Sequence, residues 1–152
     1  MPTDRQGARV RSVLFLCTGN YFRSRLAERV FNQRATERGI PWRALSRSLA
    51  PRPELRNPGP ISPHCLRALT ALGLPAHVDR SPLEASRTDL EGADRIVAVN
   101  EREHRPLVEQ RFPELADRVE YWSCEDVGAK EPDEACRAVV EEVEALVRRL
   151  ES

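Results

Sequence analysis

The chain has 152 residues, of which 40% are hydrophobic and 32% are charged, a composition typical of a globular domain rather than a disordered chain. A single core of this size is large enough for stability without disulfides or a structural metal. The longest apolar run, residues 13–17, is too short to cross a bilayer, and no basic-then-apolar leader precedes it, so we expect a cytoplasmic protein with no membrane partner.

The overall charge argues against a strongly basic nucleic-acid binder, because 24 basic side chains balance 24 acidic ones. Residues 1–67 nevertheless carry 13 basic and 4 acidic side chains, a net charge of +9, whereas residues 68–152 carry 11 and 20, a net charge of −9. Two interpretations stand. The split is either a bias in an arginine-rich composition or the sign of an anion-binding site in the first half, with an affinity that is sensitive to salt.

Apolar periodicity predicts strands and helices in alternation. Short apolar runs are typical of buried strands, and apolar residues at helical spacing, ended by glycine or proline, are typical of amphipathic helices. In chain order, the sequence predicts a strand at residues 12–16, a helix at 23–38, a strand at 43–49, a proline-rich loop at 51–63, a helix at 63–72, strands at 76–78 and 95–99, a helix at 101–112, a strand at 119–122 and a helix at 132–152. This alternation indicates a parallel sheet covered on both faces, in one domain over residues 1–152 with a flexible N-terminal extension at residues 1–10.

The loop after the first strand carries the residues best suited to chemistry. It reads Cys17-Thr18-Gly19-Asn20-Tyr21-Phe22-Arg23-Ser24. Ligands of open α/β sheets bind at such a junction, where free N–H groups and a helix N-terminus attract anions. Gly19 favours a tight turn, the Cys17 thiol is favoured as a thiolate there, and the planar fork of Arg23 fits two oxygens of a tetrahedral oxyanion. The loop therefore predicts nucleophilic attack on a phosphate monoester.

Spacing alone leaves a second interpretation of this loop. Cys17 is then a buried residue at the end of a strand and Arg23 a surface residue of a helix, since arginine is abundant in this chain. The combination of strand, cysteine, glycine, asparagine, Arg-Ser and amphipathic helix favours the catalytic interpretation.

Three segments of the chain carry the pattern of a known family. They are residues 13–20 (VLFLCTGN) with the following Arg23-Ser24 and Ala27-Glu28, residues 88–100 (TDLEGADRIVAVN), and residues 121–126 (YWSCED). With these segments the chain resembles the low-molecular-weight protein tyrosine phosphatases. The resemblance implies a single-domain, three-layer α/β fold with a four-stranded parallel sheet and helices on both faces. It also implies hydrolysis of a phosphorylated protein or a small aryl phosphate, without a metal or cofactor.

The resemblance also implies a role for individual residues. Cys17 matches the nucleophile that forms a cysteinyl-phosphate, and Arg23 matches the clamp on the phosphoryl oxygens. Asp126 matches the general acid, which protonates the leaving group and then activates water. Ser24 matches a hydrogen-bond donor to the thiolate, and Asn20 matches the residue that holds the loop in shape. The residues expected to bind substrate are Thr18, Gly19, Asn20, Tyr21, Phe22 and Ser24.

The chain departs from the family pattern around the acid and at the end of a strand. Val127 follows Asp126 where the family has proline, and no tyrosines come after it, so the strictness of phosphotyrosine preference is open. Tyr21 can supply aromatic surface instead, and Phe22 is expected to pack against the fold. Asn100 stands in place of an aspartate.

A further departure places a basic residue after Ser24, and the chain has three histidines. Arg25 replaces a frequent proline and is expected to add positive charge near the site. His77 is placed where the family has a histidine bonded to the loop asparagine. His64 and His104 are expected on the surface.

Two other functions remain compatible with the same loop. One is a phosphate-binding module without catalysis, because the acid segment is altered. The other is arsenate reductase, which requires two further cysteines placed to relay a disulfide. Cys65, Cys124 and Cys136 show no CxxC or zinc-ligand spacing, and in the cytoplasm they are expected to be reduced.

Overall fold

The computed structural model describes residues 9–50 and 57–151. It confirms the predicted α/β class, because four parallel strands form one sheet with helices on both faces. The strands are β1 (Arg11–Cys17), β2 (Trp42–Ser48), β3 (Arg95–Ala98) and β4 (Val119–Tyr121). The helices are α1 (Arg23–Arg38), α2 (Pro63–Ala71), α3 (Arg87–Gly92), α4 (Glu101–Arg111) and α5 (Pro132–Glu151), with a 3₁₀ helix at Pro113–Arg118.

The sheet has the strand order β2-β1-β3-β4, with β1 at its centre. Cys17 at the end of β1 pairs with Ser48 at the end of β2, and Leu16 pairs with Ala98 at the end of β3. The carboxyl ends of these strands therefore meet at one edge of the sheet. In parallel α/β sheets this is the edge where ligands bind.

Each face of the sheet has its own apolar core. Alternate residues of β1 divide between the two faces, as strand geometry requires. Phe15 packs with α1, α2 and α5 on one side, whereas Leu14 packs with α3 and α4 on the other. No helix in the described residues has the length and apolar character to cross a bilayer.

The predicted elements agree with the structure except in one connection. Residues 76–78 form no strand, so that prediction is wrong. Arg29 donates hydrogen bonds to the carbonyl oxygens of Pro75 (3.3 Å) and His77 (2.8 Å), so these two carbonyls bond to a side chain instead of a neighbouring strand. The short helix α3 and the 3₁₀ helix were not predicted. Most of the predicted extension at residues 1–10, and part of the predicted loop at 51–63, lie outside the described residues.

Candidate active site

The loop between β1 and α1 forms the floor of a cleft at the carboxyl edge of the sheet. Its carbonyl oxygens point outward: Leu49 N–H donates to Cys17 O (2.9 Å) and Ser62 N–H donates to Tyr21 O (3.0 Å). Among the described residues, none accepts a hydrogen bond from the backbone N–H groups of residues 18, 19, 21 or 22. Successive N–H groups left free beside a helix N-terminus form a cup for an anion.

Asn20 holds the loop in this shape from below. It is fully buried, and it is the loop residue with a positive φ, 50°, rather than Gly19 as the sequence favoured. Its side-chain oxygen accepts from Arg80 Nη1 (2.9 Å) and from Leu83 N–H (3.0 Å). Its amide nitrogen donates to the hydroxyls of Ser24 and Ser46, each at 2.9 Å. These four contacts stabilise a left-handed backbone that costs a non-glycine residue free energy.

The sulfur of Cys17 lies at the base of the cup. Asn20 N–H donates to Sγ at 3.3 Å, and Ser24 Oγ lies 2.9 Å from it. Because Ser24 Oγ already accepts a hydrogen bond from the Asn20 amide, its own hydroxyl hydrogen is free to point at the sulfur. Both groups are therefore placed to donate a hydrogen bond to the sulfur.

Arg23 is 2% exposed and is held by three groups from distant parts of the chain. The carboxylate of Glu103 accepts from both terminal nitrogens, at 2.8 Å and 2.9 Å. The carbonyl oxygen of Cys124 accepts from Nη1 at 2.9 Å, and Asp126 Oδ2 lies 3.5 Å from Nη2. The guanidinium is thus fixed in one orientation beside the cup.

Asp126 stands at the rim of the cleft with 54% of its side chain exposed. Its Oδ1 accepts from Val127 N–H at 2.8 Å, and its carbonyl accepts from the N–H groups of Ala129 and Lys130. Gly128, with φ 108°, completes this turn. Hydrogen bonds within the turn therefore order the acid segment where the family pattern has a proline.

His104 lies behind the cup and is fully buried, so the expected surface position is wrong. Asn100 N–H donates to Nδ1 at 3.1 Å, which places the ring proton on Nε2, 3.1 Å from Thr18 Oγ1. Burial, and to a lesser extent the charge of Arg23, lower the pKa of His104 to about 4. The ring is therefore neutral near pH 7 and donates to the loop.

The cleft above the cup has a volume of about 450 Å³. It brings together most of the residues predicted for the site. Its lining consists of Cys17, Thr18, Gly19, Tyr21, Phe22, Arg23, Asn57, Ser62, His64, Asp126 and Val127. Asn20 and Ser24 do not line it and act from beneath. Phe22 is 5% exposed and lies edge-on to His64, so it packs within the fold as expected.

Several site residues were missed or misplaced from the sequence. Arg80, and not His77, bonds to the loop asparagine. Arg25 does lie close to the site, since Nη1 donates to Asn20 O at 3.2 Å, but it is buried and its charge is paired with Asp79. Ser46 gave the one usable signal, because a polar residue at a buried position of a strand needs partners. Glu103 gave no such signal, because it stands in the first turn of a helix. There its backbone N–H binds the N-cap Asn100 as in any helix start.

The other cysteines do not favour a disulfide relay. Cys65 and Cys124 are buried, and burial raises the pKa of each thiol to about 12. Cys136 is partly exposed on α5, and burial is the main cause that raises the pKa of its thiol. A thiol with a raised pKa is a poor nucleophile near neutral pH.

Comparison with known proteins finds relatives that match the whole region around the cleft. A family model described as low molecular weight phosphotyrosine protein phosphatase matches residues 12–151. The chain is similar to a protein-arginine-phosphatase of Bacillus subtilis (strain 168), with 28% identity over 107 residues, which are 70% of this chain and 67% of that protein. The family match begins in β1 and ends in α5, so it includes every element around the cleft.

Solved structures share the fold over nearly the whole chain. A low molecular weight protein tyrosine phosphatase from T. tengcongensis superposes with a TM-score of 0.73 and 26% identity, over 92% of this chain and 97% of that one. Vibrio vulnificus Wzb in complex with benzylphosphonate gives a TM-score of 0.77 with 16% identity, over 92% and 99% of the two chains. At 16% identity, the second match shows the fold alone.

Proposed function

From the premise that the chain belongs to the low molecular weight phosphotyrosine protein phosphatase family, we propose that Cys17 attacks the phosphorus of a phosphorylated tyrosine in a protein. The members of this family are hydrolases of phosphoric monoesters. The observation that carries the proposal is the Cys17 sulfur at the base of a cup of free N–H groups, with Arg23 beside it. That arrangement supplies a nucleophile and donors for the developing charge.

In the first step, the Cys17 thiolate forms a bond to phosphorus while the bond from phosphorus to the tyrosine oxygen breaks. The loop N–H groups and Arg23 bind the three other phosphoryl oxygens. Asp126, in its protonated form, gives its proton to the leaving oxygen, so the product leaves as neutral tyrosine. The enzyme is left with a cysteinyl-phosphate.

In the second step, water attacks the same phosphorus and the sulfur–phosphorus bond breaks. The Asp126 carboxylate takes a proton from this water, which restores the acid for the next cycle. The thiolate leaves into the hydrogen bonds of Ser24 and the Asn20 N–H, and inorganic phosphate is released.

Two substitutions test the nucleophile and the acid. Cys17→Ser is expected to abolish release of phosphate from aryl phosphates. Asp126→Asn is expected to slow intermediate formation by roughly 10²–10⁴-fold with phenyl phosphate, and far less with p-nitrophenyl phosphate, whose leaving group needs no proton. Single-turnover kinetics measure both rates, and Asp117→Asn, an exposed acid elsewhere, is the control. Equal slowing with both substrates would refute the role of Asp126.

Two observations favour a second substrate class. The relative from Bacillus subtilis is a protein-arginine-phosphatase, and in this chain no tyrosines follow the acid segment. Phosphate release from matched phosphotyrosine and phosphoarginine peptides separates the two classes. We expect a higher kcat/KM for phosphotyrosine, because Tyr21 and Val127 line the cleft with an aromatic and an aliphatic side chain that can contact a phenyl ring. A higher kcat/KM for phosphoarginine would reverse the assignment.

The remaining alternatives are weighed by the same experiments. A binding module without catalysis would bind phosphate but release none from any substrate. The raised thiol pKa values of Cys65 and Cys124 count against an arsenate reductase.

We also propose that residues 1–152 form one phosphatase domain located in the cytoplasm. One sheet with two covered faces supports the single domain. Four free thiols support a reducing compartment.

A further inference from the structure

We propose that Glu103 is a positioning residue that holds Arg23 by one edge, so that its other edge faces the phosphoryl group in the transition state. This inference rests on the proposed function and adds a residue to it. Glu103 lies on α4, 80 residues from Arg23 along the chain, and no sequence motif predicted its contact with the site.

Three of the N–H groups of the Arg23 guanidinium are already bonded within the protein. Arginine has five N–H bonds. Nη1 uses its two on Glu103 Oε2 (2.8 Å) and Cys124 O (2.9 Å), and Nη2 uses one on Glu103 Oε1 (2.9 Å). The second N–H of Nη2 and the N–H of Nε are left. No described residue accepts from Nε, and Asp126 Oδ2 lies 3.5 Å from Nη2.

The Nε–Nη2 edge is thus the one available to an oxyanion. Because that edge is a planar fork, it binds two oxygens only when the plane of the guanidinium is correctly turned. Two parallel hydrogen bonds to a carboxylate fix that plane, whereas a single bond would leave it free to rotate. Glu103 supplies both bonds, and the Cys124 carbonyl accepts the other N–H of Nη1.

Charge and burial fit this role. Arg23 is almost fully buried, so its own motion is already restricted, and Glu103 is about one-third exposed. Partial burial alone would raise the pKa of the Glu103 carboxyl, but the hydrogen bonds and charge of Arg23 outweigh it and hold the pKa below its usual value. Asn100, where the family pattern has an aspartate, is neutral and donates to Cys124 O (3.1 Å). The carboxylate that binds Arg23 is that of Glu103, which lies on α4 three residues after Asn100.

If Glu103 positions Arg23, removal of its charge should affect the binding of phosphate and of vanadate differently. Bound phosphate is held mainly by positive charge, so removal of the Glu103 charge should leave its affinity unchanged or raise it. The transition state spreads charge over three equatorial oxygens and needs the fork aligned. Vanadate forms a five-coordinate adduct with a thiolate and imitates that geometry, so its affinity should fall.

The test compares Glu103→Gln with Glu101→Gln, which removes the same charge from an exposed position on the same helix. For Glu103→Gln we expect kcat to fall by about 10–100-fold, vanadate to bind about 10-fold or more weakly, and phosphate to bind at least as tightly as to the wild type. Glu103→Asp keeps the charge but shortens the reach, so it should also lose kcat and vanadate affinity. Glu101→Gln should match the wild type in all three.

Several results would overturn the inference. One is an unchanged kcat and vanadate affinity in Glu103→Gln; another is an equal loss of phosphate and vanadate affinity. Wild-type behaviour of Glu103→Asp would assign the effect to charge and not to position. If the wild type itself releases no phosphate, the proposed function fails, and calorimetric binding of phosphate and vanadate still decides the role of Glu103.

Discussion

His104 is a single residue whose protonation state is set by its neighbours. The Asn100 N–H occupies Nδ1, so a second ring proton would have to displace that donor in a fully buried place near Arg23. Burial of a charged imidazole is costly, which is why the pKa of His104 is lowered to about 4 from an ordinary 6.5. The neutral ring keeps Thr18, the residue after Cys17, hydrogen-bonded from behind.

This residue gives the protein a predictable loss of stability in acid. Between pH 6.5 and 4 the unfolded chain binds a proton at residue 104 that the folded chain does not. The part of the free energy of unfolding that depends on a neutral His104 is therefore fully present above pH 6.5 and is lost as the pH falls. The free energy of unfolding should fall by about 2–4 kcal/mol over this range from His104 alone. In His104→Asn, which keeps an acceptor for Asn100 N–H but does not titrate, urea unfolding should show a smaller dependence on pH. Equal pH dependence in both proteins would contradict the assignment.

At the scale of elements, the sequence predicted what depends on periodicity and local signals. The strand β1, the helix α1 with Gly39 at its end, and Ser62-Pro63 at the start of α2 all follow from nearby residues. The wrong strand at residues 76–78 shows the limit, because a strand needs a neighbour, and the bonding partner there is the side chain of Arg29. Local pattern does not determine which distant group satisfies a carbonyl oxygen.

The candidate site divides in the same way. Cys17, Arg23 and their loop could be identified from the sequence because a strand, a short loop and a helix N-terminus form an anion cup from contiguous residues. Glu103, His104 and Arg80 could not, since each reaches the loop from another element. Asp126 is intermediate, because only the family resemblance pointed to it and the structure then places it 3.5 Å from Arg23.

For the molecule as a whole, the opposite charges of the two halves have a structural use. Among the described residues, seven arginines of the first half form ion pairs with acidic residues of the second half. They are Arg9, Arg23, Arg25, Arg29, Arg34, Arg38 and Arg47. Ion pairs with the second half therefore neutralise much of the positive charge of the first half.

Salt should accordingly weaken the fold as a whole. Exposed ion pairs contribute about 0–1 kcal/mol each and are screened by salt. Between low salt and ~0.5 M sodium chloride we expect the free energy of unfolding, measured with urea, to fall by roughly 1–3 kcal/mol. The double variant Arg34→Gln/Glu144→Gln removes one cross-half pair at constant net charge and should depend less on salt. A midpoint of unfolding that rises or stays constant with salt would contradict this view of the charge split.

The anion cup also determines when a newly made chain can become active. Its loop is local in sequence, but Arg80 binds it from 60 residues away, and Glu103 and the Cys124 carbonyl bind Arg23 from 80 and 101 residues away. Contacts between residues so far apart form late, because long stretches of chain must first lose their freedom. Phosphatase activity is therefore a late signal in refolding. A chain that ends before residue 80 carries Cys17 and its loop without Arg80, Glu103 and the Cys124 carbonyl.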